Sequence, residues 1–192
     1  MRTARAAGPG PPPDPAQQKP RDMIDPKRLL ADLKSLHAKL KDDLRYHQAA
    51  SAGRDATEAE WQEAFSTKRT AETFPTFFEA AVDQAAVHWI LAAAFIRFLE
   101  DNRLIERPML SGPGERWELA RERLQAWFRV RPHDSDAEYL VASFSEEAQL
   151  PGLSGLFDTA HNPLFRLPLS GDGAMALVDF FRQRVPETGA QP

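Results

Sequence analysis

Arg116 and Arg123 are seven residues apart, so on a helix they share one edge, with Arg121 and Arg129 as neighbours. Trp117, Trp127 and Phe128 are interleaved among them. A cationic edge of this kind suits the phosphates of double-stranded DNA, in contacts that position a protein without reading sequence. Acidic residues are interleaved as well, and a plain solvated helix face accounts for the same pattern. From the residues alone that plainer account is preferred, and Arg116, Arg123, Arg121 and Arg129 stand as the DNA-backbone candidates.

Other chemistries find less support. His37 and His47 are ten apart, His88 stands alone, and no two of the five histidines have the spacing of three or four that a helical metal site uses. No metal is expected, and His88 reads as a core-edge histidine bonded to a carbonyl. Glu100, Asp101 and Asn102 look like a catalytic acidic cluster, but successive helical residues diverge, and solvent with Arg97 or Arg103 explains an acidic helix end. No serine lies in a nucleophile elbow, and neither a dinucleotide fingerprint nor a Walker loop is present. The glycines at 112, 114, 171 and 173 read as helix-start turns. No cysteine occurs among the 192 residues, which excludes disulfides, thiolate ligands and cysteine nucleophiles and suits a cytoplasmic protein without requiring one. A formal net charge of -4 gives no global attraction to nucleic acid, so any DNA contact must be local.

The elements that would position these residues are all helical. With 42% hydrophobic and 27% charged residues the chain is long enough for one domain plus tails. An all-α domain of about six helices over residues 23–185 is expected, between a disordered Pro-rich leader at 1–22 and a flexible tail at 186–192. The stretch Thr76 to Asn102 organises the rest. One apolar stripe runs through Phe78, Val82, Ala85, Trp89, Ala92, Ile96 and Leu99, and a second through Val87, Leu91, Ala94 and Phe98 on the opposite side. Burial on both sides is therefore expected. The uncharged run from Gln84 to Ile96 falls short of the roughly 20 residues that cross a bilayer, so a core helix is expected and no membrane.

Asp25-Pro26 is a helix start, and Leu29, Leu33, Leu36, Leu40, Leu44 and His47 form the seam of a first helix reaching about Ala50. Capping boxes at Thr57/Glu60, Thr76/Glu79 and Ser135/Glu138 mark the starts of three more helices, the first of which turns Trp61, Ala64 and Phe65 inward. Asn102 is a residue that tolerates a left-handed helix stop. A fourth helix from Glu115 to Val130 buries Trp117, Ala120, Leu124 and Phe128. Residues 161–168 should be extended, because each proline pushes its predecessor out of helical geometry, with Leu164, Phe165 and Leu167 plugged into the helices. A last helix runs from near Ser170 or Asp172 to Val185. No strand and no internal repeat is read.

Several blocks then carry a resemblance: MIDPKRLLADLK, QAAVHWILAAAFIRFLEDN, LSGPGERWELARERLQAWF, DSDAEYL and GLFDTAHNPLFRLPLSGDGAMALVDFFR. In this order they resemble the amino-terminal region of the PglX family, the adenine-specific DNA methyltransferases of the type 2 BREX phage-exclusion system. The resemblance covers about Met23 to Gly189. It implies a helical region that precedes a catalytic core, partners that core in cis or in trans, and serves restriction-modification-like phage defence. The family's core binds S-adenosylmethionine through an Asp-Pro-x-Cys-Gly-Ser-Gly loop and holds a flipped adenine with Asn-Pro-Pro-Tyr. Neither occurs in this sequence, and Asn162-Pro163 continues to Leu164 and Phe165. No cofactor and no catalytic residue is therefore expected here, and the chain reads as a fragment or split piece that is inactive alone. A second reading is a free-standing interaction protein that binds a defence-system partner without touching DNA.

Overall fold

Asp25 turns its carboxylate onto the amides of Lys27 (2.9 Å) and Arg28 (3.4 Å), and Pro26 opens α1, Pro26–His47. The computed structural model describes residues 25–49, 51–150 and 152–182, so the leader, the tail and the expected end of the last helix at Val185 lie outside the described residues. Those described residues form seven helices and no strand: α1, α2 (Ala52–Ser66), α3 (Phe74–Asp101), α4 (Arg116–Val130), α5 (Asp136–Glu147), α6 (Pro163–Arg166) and α7 (Gly171–Arg182). The all-α expectation holds.

Leu36, Leu40 and Leu44 are the buried part of the α1 seam, whereas His47 is exposed and the helix stops there, before Ala50. Gln48 takes over at the C-cap. It is buried, and its Nε2 donates to Pro168 O at 2.6 Å. The start of α2 is Ser51, whose hydroxyl accepts from Arg54 N, and not Thr57. Thr57 lies a turn and a half inside α2, fully buried, and its hydroxyl donates back to Gly53 O at 2.8 Å. Helix formation runs straight through Gly53 because α2 needs a residue without a Cβ there: one would meet Arg166 O at 2.5 Å. Ala64 is buried as expected, Trp61 is half-buried, and Phe65 is exposed.

Around α3 pack α1, α2, α6 and α7. The helix begins at Phe74 after the N-cap Thr73, before the expected Thr76/Glu79 box: Pro75 in the first turn presets the backbone, and no side-chain hydrogen bond caps this end. Every residue of the first stripe is buried, with Trp89, Val82, Ala85 and Ile96 at 0% exposure. The second stripe is not. Val87, Leu91 and Phe98 are exposed, which overturns two-sided burial: the described residues leave that side of α3 uncovered. By length and composition α3 could cross a membrane, yet its first face is the centre of the core. At its end Asn102 is the C-cap with φ of -89°, and the left-handed residue is its successor Arg103, φ 57°.

Residues 161–168 lie across α3 as expected but are not extended. Asn162 caps α6 through Leu164 N, and Pro163 sits at the first helical position, where its missing N–H costs nothing. Leu164 and Leu167 are buried, and Trp89 Nε1 donates to Leu167 O at 3.2 Å. From the following turn, Asp43 of α1 accepts from Ser170 N at 3.0 Å and from the Ser170 hydroxyl, tying α1 to the start of α7. The capping box expected at Ser135/Glu138 is present at α5, with Ser135 N donating to Glu138 at 2.7 Å.

Candidate nucleic-acid interface

The arginine edge of α4 lies over the loop that joins α3 to α4, and this decides what each guanidinium does. Arg116 donates to Ile105 O (2.7 Å) and Glu106 O (3.3 Å). Arg123, one heptad on, donates to Arg107 O (2.9 Å) and to Glu146 on α5 (2.9 Å), with Glu147 at 3.8 Å. The shared edge is as expected, and it faces the protein's own 105–107 carbonyls. Arg121 and Arg129 are exposed, Arg121 lying 5.3 Å from the Trp117 ring and Arg131 4.0 Å from the Trp127 ring. Glu118 and Glu122 are exposed on the same helix, so the outer surface of α4 carries both signs. Of the expected α4 stripe, Ala120 is fully buried, while Trp117, Leu124 and Phe128 are half-buried.

Between α4 and α5 a cleft of about 250 Å³ is walled by Arg123, Trp127, Arg131, Tyr139, Ser143 and Glu146. Trp127 and Tyr139 meet edge to face at 5.9 Å, and the Trp127 indole N–H is buried there without a hydrogen-bond partner among the described residues. Proton chemistry is poorly served. Tyr139 is buried, its phenol pushed up by that burial, and its hydroxyl donates to Met109 O at 2.9 Å. Glu147 is likewise raised by burial, with Arg123 opposing the shift.

Beneath α4 lies the polar centre that sequence reasoning missed. Glu100 is fully buried and accepts the amides of Met109 (2.6 Å), Leu110 (2.8 Å) and Ser111 (2.8 Å). Arg182 of α7 meets the other side of the same turn, donating to Leu110 O (2.7 Å) and Met109 O (3.0 Å). Burial raises the Glu100 carboxyl above its usual range against the three amide donors, and burial lowers the Arg182 guanidinium. The solvent explanation offered for the acidic helix end is thus right only for Asp101, which pairs with Arg97 at 2.6 Å. A signal was present: Glu100 follows Trp89, Ala93 and Ile96 at helical spacing and so falls on the buried stripe. The arrangement clamps a loop, and the three amides leave the carboxylate no open side toward a substrate.

His88 is bonded through Nδ1 to the Asn162 side-chain oxygen at 3.1 Å, a carbonyl partner as expected. Among the described residues no group of three His, Asp or Glu side chains is gathered as a metal site. Every regular element among the described residues is a helix.

No family model matches the chain, and no solved structure does. Over 167 residues, 86% of the chain, the sequence is 38% identical to "Adenine-specific methyltransferase PglX" of Streptomyces coelicolor. The likeness to PglX drawn from the sequence blocks is thereby shown. The chain spans about 14% of the length of that relative.

Proposed function

We propose that this chain, related to PglX over most of its length, is a non-catalytic helical domain of an adenine-specific DNA methyltransferase acting in cytoplasmic phage defence. It supports the catalytic core, in cis or in trans, and the core supplies S-adenosylmethionine binding and adenine recognition. The observation that carries the proposal is the match itself: 38% identity across nearly the whole helical domain, to a segment that makes up a small part of a methyltransferase. The interior agrees with a supporting role, since its buried charges, Glu100 and Arg182, hold a loop in place.

DNA contact by this domain, if made on α4, falls to the exposed Arg121 and Arg129, with Arg116 and Arg123 fixing the surface that carries them. Two phosphate contacts give a log-log salt slope of about -2, so binding by the domain alone is weak and nearly lost at physiological salt. Fluorescence anisotropy with duplex DNA at low salt tests this contact. Arg121→Ala/Arg129→Ala should weaken binding several-fold, and equal affinity in variant and wild type, or no binding by either, removes α4 as a DNA face. A second reading, a free-standing interaction protein that does not touch DNA, is favoured by the internal partners of Arg116 and Arg123 and the net charge of -4. Co-purification with a separately expressed catalytic core separates the two, because a protein with another partner does not bind the core.

A further inference from the structure

We infer that the exposed seam of α3, formed by Val87, Leu91, Ala94 and Phe98, is the docking face for one apolar helix of the methyltransferase's catalytic chain. The inference rests on the core-support reading above and adds the surface through which that support acts.

Exposed apolar side chains are common singly, but Val87, Leu91 and Phe98 are exposed together and, with the half-buried Ala94, are spaced by steps of four, three and four on one helix. That is the spacing of a seam that packs lengthwise against another helix, and a strand or a peptide in extended form would not follow it. Leu91 is 58% exposed, Phe98 55% and Val87 37%, directly opposite a stripe whose members are at or near zero. Looseness of the fold does not explain the exposure. Phe98 lies against Phe95, ring centroids 6.4 Å apart, on the continuous helix α3 whose other face is the core. Ala94, between Leu91 and Phe98, has the smallest side chain of the seam.

Charge narrows the occupant. From Gln84 to Ile96 no Asp, Glu, Lys or Arg occurs, so the centre of the seam offers nothing to a cationic or acidic partner and matches an aliphatic helix face. The related methyltransferase carries this segment as 14% of its length, so the greater part of that chain lies beyond the matched segment and is the source from which we draw the occupant. A helix with aliphatic residues at heptad spacing and a bulky one opposite Ala94 fits.

The test uses the full 192-residue chain and, as probe, the Streptomyces coelicolor PglX polypeptide without its matched segment. Wild type should form a complex, and Leu91→Glu/Phe98→Glu should bind at least tenfold more weakly while melting at the same temperature as wild type. Because the chain has no cysteine, Leu91→Cys places a single thiol on the seam, and it should react with a maleimide in the free chain and be protected in the complex. Equal binding by wild type and the double variant overturns the seam and leaves the core-support reading standing. No complex with wild type overturns both. A dimer of the chain that the double variant abolishes, a lowered melting temperature in the double variant, or capture of wild type by phosphatidylcholine vesicles each overturns the seam inference, assigning the face to a second copy, to the domain's own core or to lipid.

Discussion

Glu100 sits on the buried face of an otherwise apolar helix, and three backbone amides together with the Arg182 contact to the same turn explain how a carboxylate is tolerated there. Glu100→Ala leaves those amides without an acceptor and should destabilise by about 3 kcal/mol, read by chemical denaturation. The carboxyl's folded pKa lies above its unfolded one, so the folded state binds the proton more tightly. Its contribution is therefore full below the ordinary value of 4.5 and is lost as pH rises through the folded pKa. Glu100→Gln does not titrate, so the stability gap between wild type and this variant should be wider at acid pH than at neutral pH. A gap that is flat, or wider at neutral pH, would show that the amides outweigh burial. Trp89, at 0% exposure with its indole N–H on Leu167 O, is the other residue on which the core depends. Trp89→Ala should cost roughly 3–5 kcal/mol, and a melting curve matching wild type would contradict the assigned core.

At the scale of elements, the first face of α3, the start of α1 and the capping box of α5 were legible because each is a local pattern of residue types that nothing distant opposes. What was not legible came from contacts across the chain. The Thr57/Glu60 pattern is a sound helix start in isolation, but α2 begins six residues earlier because Ser51 caps it and Gly53 is pressed against Arg166. Gly53→Ala measures that pressure. On an open helix the change stabilises by about 1 kcal/mol. Against a carbonyl 2.5 Å from the new Cβ it should instead destabilise by roughly 1–3 kcal/mol, read by thermal melting. Likewise the arginine edge of α4 was correctly placed as an edge, while its direction depended on where the 105–107 carbonyls fall, which spacing within α4 does not encode. The second stripe of α3 was read as buried because its composition demands cover, and the described residues do not provide it.

Across the whole molecule, what is assembled is a helical scaffold with a clamped loop under α4, an apolar seam on α3 and a mixed-sign outer surface. The sequence lacks both the cofactor loop and the adenine-holding motif of the family it resembles, and the described fold has no sheet on which such motifs are displayed. On the function proposed above, activity depends on a second polypeptide region. The direct measurement is transfer of labelled methyl groups from S-adenosylmethionine to adenine in duplex DNA, for the 192-residue chain alone, for a catalytic core lacking this segment, and for the two combined. The account predicts no transfer by the chain alone and a rate for the mixture well above that of the core by itself. Methyl transfer by the purified chain alone, or a mixture no faster than the core, would contradict it.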